Sequence, residues 1–192
     1  MKSPILFSSV LAVTSLGLAT LNAADSPATP AATGQAEAPA TFPVGALQFQ
    51  RPTEWKWVPV QSPMRKAHLQ VTGADATKIA DITFFHFGQD MGGSIKDNAD
   101  RWVKQFQSAP GAEKVEATEI NGRKVTLVTT EGTFAGGMPG AGGGAAPLTD
   151  YALLGAIIED AGGNVFVKMT GPKAVVSASR EKFMAFLGTA KK

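Results

Sequence analysis

The two histidines of the 192-residue chain, His68 and His86, are the first residues that could do chemistry. Both lie in segments rich in strand-forming residues, and if those segments pair, Asp81 or Asp90 could join them. Two imidazoles and a carboxylate form a known metal-ligand set. The spacing matches no H-x-x-E-H type of motif. We therefore expect His68 to lie on the surface, His86 to be half-buried and bonded to the backbone, and no metal site.

Nucleophilic catalysis finds little support in the residue pattern. The chain has no cysteine, which excludes thiol catalysis, disulfides and cysteine-based zinc sites. Serines are present, but no G-x-S-x-G motif places one on the sharp turn of a hydrolase. The carboxylates are scattered, and no pair stands out as an acid and a base. We expect no catalytic residue and no cofactor.

An anion-binding site is suggested by Gly92 and Gly93, which precede a predicted helix. The first N–H groups of a helix have no partner within it and can hold an anion. Arg65, Lys66 and Lys96 could add positive charge. The alternative is that the glycines only let the chain enter the helix and that the three cations are ordinary surface charges. These five residues are the candidate ligand-binding set.

A glycine-rich segment, residues 135–147, carries six glycines between Gly136 and Gly144. A phosphate-binding loop needs G-x-x-x-x-G-K-[ST] at the entrance to a helix. No lysine lies between Lys124 and Lys168, and the segment leads into a strand. We therefore predict a flexible connection between two strands.

Four bulky apolar side chains are the candidate contacts with a partner. Trp55 and Trp57 share one face of an early extended segment, and we expect them to be part core and part exposed. Met138 and Leu148 are the larger apolar residues in and beside the glycine-rich segment. All four could line a groove or a docking surface.

The elements that must position these residues begin with strands. Short extended pieces are expected at Leu47–Phe49 and Trp55–Val60. "RKAHLQV" alternates, and "KIADITFFHFG" is rich in β-branched and aromatic residues. "DYALLGAIIED" is apolar on both faces, as in a central strand. Asn121 and Gly122 between two strand-like runs predict a two-residue hairpin turn. One face of the alternating strand holds Ala67, Leu69 and Val71.

Two helices are predicted, one in the middle of the chain and one at its end. Ser94 can cap the first, with Asp97 placed as in a capping box, and "SAPG" is expected to end it. Its outer face could pair Asp100 with Lys104. Gly171-Pro172 should open the second helix and Gly188 should end it. The expected buried faces are Ile95, Ala99, Trp102, Val103 and Phe106 in the first, and Val176, Ser179, Phe183, Phe186 and Leu187 in the second.

These elements predict an α+β fold, with a twisted antiparallel sheet of about six to seven strands and helices packed on it. Residues 42–192 should form this single domain, which is large enough to bury a core without disulfides. Residues 1–24 have the layout of a secretory signal peptide, with cleavage near Ala23 or Ala24. The alternative is an uncleaved anchor. Residues 25–41, rich in Ala, Pro and Thr, should be a disordered linker.

Charge excludes one class of partner. The chain has 18 basic and 16 acidic residues, and without Lys2 the balance is 17 to 16. There is no basic block of the kind that binds nucleic acid. We expect an exported, periplasmic or secreted protein, with no membrane span after cleavage and a monomeric state.

Several motifs carry a resemblance to a known family. "FQRPTEW", with Phe49, Pro52 and Trp55, resembles the F-x-x-P-x-x-W opening of PsbP-like proteins, the extrinsic photosystem II family and its bacterial relatives. "FHFGQDMGGSIKDNADRWVKQF", "INGRKVT" and "VFVKMTGPKAVV" are similar to an uncharacterised family of exported bacterial proteins with the same modules. The likeness spans Leu47 to Leu187. It implies a PsbP-like α/β/α sandwich and no catalytic residues.

These observations favour an exported, non-catalytic binding or assembly module whose partner is an unknown protein or envelope component. The first alternative is a periplasmic protein that binds a small molecule or anion through the Gly92-Gly93 helix start. The second is a hydrolase.

Overall fold

The computed structural model describes residues 38–60, 62–135 and 146–192, which contain ten strands and three helices. The predicted signal peptide, most of the predicted linker and the centre of the glycine-rich segment lie outside the described residues. The strands are β1 Thr41–Val44, β2 Leu47–Gln50, β3 Lys56–Trp57, β4 Arg65–Thr72, β5 Ile79–His86, β6 Phe106–Gln107, β7 Lys114–Ile120, β8 Arg123–Phe134, β9 Leu148–Ile158 and β10 Val165–Pro172; the helices are α1 Ile95–Val103, α2 Lys173–Ala178 and α3 Arg180–Leu187.

An eight-stranded antiparallel sheet forms the centre of the molecule. Its order is β3-β4-β5-β10-β9-β8-β6, and β7 also pairs with β8. The α+β class is therefore confirmed, with more strands than the expected six to seven. The strand without a predicted counterpart is β6, which is only two residues long and too short to leave a periodic signal, whereas β3 falls within the extended piece expected at Trp55–Val60. A separate hairpin, β1-β2, packs on the sheet.

The sheet is covered on both faces. On the first face, the β1-β2 hairpin, α2 and α3 pack on the alternating residues of β4, β5 and β10. As predicted, Ala67, Leu69 and Val71 point into this core. On the second face α1 packs over β8, β9 and β10, but no helix of the described ranges covers β4 and the neighbouring part of β5. We call this part of the second face, around β4, β5 and the end of β10, the open face.

The first core is built around stacked aromatic rings. Phe42 and Phe49 of the hairpin pack with Phe84 of β5 and Phe186 of α3, with ring centroids 5.1–6.3 Å apart. Strand β1 was not predicted, since Pro43 interrupts its pattern. The hairpin also extends the domain before Phe42, because the Arg51 side chain donates to the Pro39 carbonyl at 2.8 Å.

Helix α1 is shorter than expected. Ser94 caps it as predicted, and its hydroxyl accepts from the Asp97 N–H at 3.0 Å. It ends at Val103 and not at "SAPG", because Phe106 already belongs to β6 and pairs there with Phe134 of β8. On its outer face Asp100 pairs with Lys96 in place of the expected Lys104.

The C-terminal helix is divided in two at Ser179, whose hydroxyl donates to the Val175 carbonyl at 2.7 Å. The predicted buried stripe is confirmed, and Gly188 caps the end of α3. Asn121 and Gly122 have φ angles of 48° and 75° in the turn between β7 and β8, so the predicted hairpin is also confirmed. None of the helices in the described ranges is long and apolar enough to cross a membrane.

Candidate functional site

Lys168 is the most unusual side chain of the second face. It lies in β10, a strand with neighbours on both sides, and points to the same face as Phe166 and Thr170. Burial, and to a smaller extent the positive charge of Arg65, lower the pKa of Lys168 from 10.5 to about 8. A lysine in the middle of a sheet, next to another cation, is an expensive arrangement for a structural residue.

The partners of the Lys168 ammonium group are uncharged. Its Nζ donates to Oε1 of Gln105, which lies between α1 and β6. It also lies 5.5 Å from the centroid of the Phe134 ring. Within the described part of the chain, no carboxylate forms an ion pair with either Lys168 or Arg65. The charge of Arg65 helps to lower the pKa of Asp81, but neither cation has a carboxylate within ion-pair distance there.

Lys168 lies on a cavity of about 290 Å³ in the open face. The cavity combines the two cations with a polar wall from β4 and β5 and an apolar wall from β8 and β9. Its other lining residues are His68, Ile79, Asp81, Thr83, Phe134, Leu148, Tyr151 and Thr170.

The polar wall is held in place by a short hydrogen-bond network. His68 Nε2 lies 2.6 Å from Asp81 Oδ1, and Gln70 donates to the same oxygen at 3.1 Å. Burial alone would raise the pKa of Asp81, but the bonds from His68 and Gln70 outweigh it and the pKa is lowered. The expected surface position of His68 is wrong, since its side chain is only 12% exposed. Sequence alone did not show that Asp81 would cover it.

The floor of the cavity has one polar atom with no partner. The Thr170 hydroxyl is buried and makes no hydrogen bond to the described residues. Its neighbour Thr83 donates to the Lys168 carbonyl at 3.4 Å. A buried hydroxyl without a partner is uncommon, and it is one of the groups that a bound ligand could satisfy.

A second, smaller cavity of about 170 Å³ lies on the other side of Lys168. Its walls are aromatic, because Phe85 and Phe87 stack with centroids 6.4 Å apart and Trp102 of α1 closes the far side. Met64 borders it and is 57% exposed. Arg101 also lines it. The Lys168 side chain therefore separates a polar cavity from an apolar one.

The two histidines are not brought together. His86 faces the first core, where its ring lies against Gly45 and its Nδ1 is 3.4 Å from the Asn164 carbonyl. This is the backbone bond expected for His86. The described residues contain no cluster of three or more histidines and carboxylates that could hold a metal.

The predicted anion-binding set is divided between different places. Arg65 lines the cavity beside Lys168, whereas Gly93 borders a separate cavity that also contains Asp90 and Asp160. Those carboxylates disfavour an anion near Gly93. At the other positions of the set, Lys66 is exposed on β4, Lys96 pairs with Asp100, and the Gly92 carbonyl accepts from Asn98 at 2.8 Å.

The predicted partner contacts also differ in accessibility. Trp55 is 1% exposed and packs on Phe186 in the first core, so it has no surface to offer. Trp57 is half-buried against Phe42. Leu148 is exposed and lines the Lys168 cavity. Met138 lies outside the described residues.

Sequence reasoning missed Lys168, although a signal was present. In "VFVKMT" one lysine stands among apolar residues of a strand, and its neighbours in sequence are buried on both faces. A charged residue at such a position either lies in an edge strand of the sheet or has a functional role. The order of the strands decides between the two, and it places β10 near the middle of the sheet.

No family model and no curated protein matches the chain. Similar solved structures include a cyanobacterial PsbP from Synechocystis, which is 12% identical with a TM-score of 0.47 and aligns over 85% of this chain and 99% of its own. A protein from Bacteroides thetaiotaomicron is 13% identical with a TM-score of 0.44, over 78% of this chain and 46% of its own. The chain is similar in fold to this PsbP protein, and the likeness concerns the fold alone.

Proposed function

We propose that this protein is an exported, non-catalytic binding module, and that it binds its ligand at the open face, beside Lys168. The observation that supports the proposal best is the position of Lys168, a buried cation between two cavities with Arg65 beside it and no carboxylate partner among the described residues. Export is supported by the signal-peptide layout of residues 1–24.

A purely structural role for Lys168 explains the arrangement less well. A methionine would fill the same space on the sheet without the cost of removing a charge from water. The bond to Gln105 recovers part of that cost, but the nearby charge of Arg65 adds to it. A ligand that neutralises both cations would remove the repulsion between them. The free energy that this repulsion costs the free protein would then add to the affinity for the ligand.

The open face is better suited to holding a ligand than to transforming it. His68 and Asp81 are bonded to each other. No serine lines the cavity among the described residues, and the two threonine hydroxyls that do, those of Thr83 and Thr170, make no hydrogen bond to His68 that would activate them. The hydrolase alternative therefore gains nothing from the geometry.

Hydrogen exchange with fractionated cell extract tests the proposal. The purified protein is incubated with the small-molecule fraction and, separately, with the protein fraction. Slower exchange in β4, β5 and β10 is expected with at least one fraction, and it should disappear in Lys168→Met. The matched control is Lys66→Met, which removes an exposed lysine from the same face of the sheet and should keep the protection.

Two results would contradict the proposal. One is protection confined to other elements, such as the edge strand β7. The other is equal protection in the wild type and in Lys168→Met. If the protection from exchange is lost in Lys66→Met but kept in Lys168→Met, the result would instead favour the Gly92-Gly93 set.

A further inference from the structure

Resting on the proposed function, we infer that the ligand is a small carboxylate with an apolar chain or ring, whose charged end lies between Lys168 and Arg65 and whose apolar part lies on Met64, Phe85 and Phe87. The inference comes from two adjacent surfaces of opposite character that meet at one side chain. Lys168 lines both the polar cavity and the aromatic one.

The charged end is specified by the groups that it must satisfy. Lys168 and Arg65 offer positive charge, and the Thr170 hydroxyl has no partner among the described residues. An anion placed there would make charge-assisted hydrogen bonds, which are stronger than neutral ones. Asp81 lines the same cavity and is half exposed, so Lys168, Arg65 and Asp81 leave a net charge of about +1, which one carboxylate would neutralise and a phosphate dianion would exceed. This favours a carboxylate over a phosphate dianion.

The apolar part is specified by exposed hydrophobic surface within reach of that charge. Met64 is exposed, Phe87 is at the border of exposure, and the Phe85 ring stacks on Phe87. The cavity that they form with Trp102, about 170 Å³, is small enough for a short chain or a single ring. Methionine and aromatic side chains adapt well to such groups.

The size of the site points to a small molecule and not to a protein partner. The two cavities are about 290 and 170 Å³, at or below the lower end of the range for small-molecule pockets. The flanking Leu148 extends the apolar wall on the polar side. We therefore expect the ligand to lie across Lys168, in contact with both cavities.

Calorimetric titration of the purified protein with straight-chain carboxylates tests the inference. The probes are acetate, butanoate, hexanoate and octanoate, with octanamide as the neutral analogue of the last. Affinity should rise by up to about fourfold for each methylene that is fully buried. Octanamide should bind at least about tenfold more weakly than octanoate, because it cannot neutralise the cations.

Variants locate the binding. Lys168→Met and Arg65→Gln should each weaken octanoate by about tenfold or more, whereas the exposed Lys66→Met should have no effect. Phe87→Ala should reduce the gain per methylene and leave acetate unchanged. Far-ultraviolet circular dichroism checks that each variant is folded, and Arg65→Gln, at an exposed position, keeps the test valid if Lys168→Met fails to fold.

Binding should also depend on pH. Octanoate affinity should fall as pH rises through about 8, the pKa of Lys168 in the free protein, since only the protonated amine attracts the carboxylate. The other titratable or charged groups that line the two cavities with Lys168 are Arg65, His68, Asp81, Tyr151 and Arg101. Lys168→Met should abolish the fall.

The outcomes separate this inference from the proposed function. If octanoate and octanamide bind equally, or chain length has no effect, the inference is wrong. If extract protects the open face but no carboxylate binds, the proposed function stands and the ligand class is wrong. If neither extract nor carboxylate affects the open face, both fail.

Discussion

The indole ring of Trp102 lies directly over Gly155, so closely that a methyl group added at Gly155 would overlap Cζ3 and Cε3 of the ring. Trp102 is the centre of α1's buried face, and Gly155 is in the middle of β9. The absence of a side chain on the strand thus lets the helix approach the sheet. It also sets the far wall of the apolar cavity beside Lys168, because the same ring lines that cavity.

Gly155→Ala should destabilise the protein by about 1–3 kcal/mol, the usual cost of overpacking a core. Trp102→Ala should cost about 3–5 kcal/mol, since a large buried aromatic side chain is removed. Urea denaturation midpoints measure both. In a Trp102→Leu background the cost of Gly155→Ala should shrink. An unchanged cost there would mean that the contact with the indole is not its cause.

Gly122→Ala should lower the free energy of unfolding by about 1–2 kcal/mol, because an alanine resists the φ angle of 75°. Nothing lies near the added methyl group, so the effect would be confined to the backbone. Asn121→Gly separates the other role of the turn. It keeps the positive φ and removes the amide that donates to the Gly188 carbonyl at 2.6 Å, at a cost of about 0.5–1.5 kcal/mol. Unchanged stability in Gly122→Ala would contradict the strain argument.

The His68–Asp81 pair should contribute to stability at neutral pH and lose that contribution in acid. The folded pKa of Asp81 is lower than that of the unfolded chain, so the unfolded state takes up a proton first as pH falls. The contribution is full above the unfolded value of 3.8 and disappears as pH falls through the folded one. In Asp81→Asn the unfolding midpoint should therefore fall less steeply as the pH is lowered into the acid range. Glu116→Gln, on the exposed strand β7, serves as the control. Parallel acid limbs for the wild type and Asp81→Asn would contradict the prediction.

Lys168 should have the opposite effect at alkaline pH. Its folded pKa of about 8 lies below the unfolded value of 10.5, so between them the unfolded chain holds more protons and stability rises with pH. Lys168→Met should be more stable than the wild type at pH 7, and its advantage should fall by up to about 3 kcal/mol as pH rises towards 10.5. Unfolding free energies of the two proteins at matched pH provide the measurement, because titrations that they share cancel. A constant difference across that range would show that Lys168 is not buried as a cation.

Replacing residues 136–145 with a short Gly-Ser link should leave the fold intact. Phe134 and Leu148, on either side of the segment, are paired across β8 and β9, so a shorter link can join the strands. The cost of closing a loop grows only slowly with its length. Stability within about 0.5 kcal/mol of the wild type is expected, and unfolding of the shortened protein would show that the segment is structural. The sequence-based prediction that this segment is flexible stays a prediction.

Local signals in the sequence determined much of the fold. The alternation in β4, the apolar run of β9, the Asn121-Gly122 turn and the Ser94 cap each depend on residues close together in the chain, and each is present in the structure. Period and turn chemistry suffice for such features, because the physical cause is local. The α+β class followed from their order.

Features without a local cause could not be predicted in this way. β1 is interrupted by Pro43, and β6 is two residues long, so these strands form because neighbouring elements provide their partners. Helix α1 ends at Val103 because Phe106 pairs with Phe134, about thirty positions further along the chain. Helix propensity carries no information about such a competitor.

The candidate site was decided almost entirely by tertiary structure. The sequence suggested Arg65 as a charge that could assist the Gly92-Gly93 helix start, but Gly93 borders another cavity. Lys168 was not identified from the sequence at all. What makes Lys168 unusual is the burial of its amine, the repulsion from Arg65 and the ring of Phe134, and these residues come from three different strands. The type of each residue can be read from the sequence, but the desolvation and the neighbouring charge that make Lys168 unusual arise only when β4, β8 and β10 are placed in one sheet.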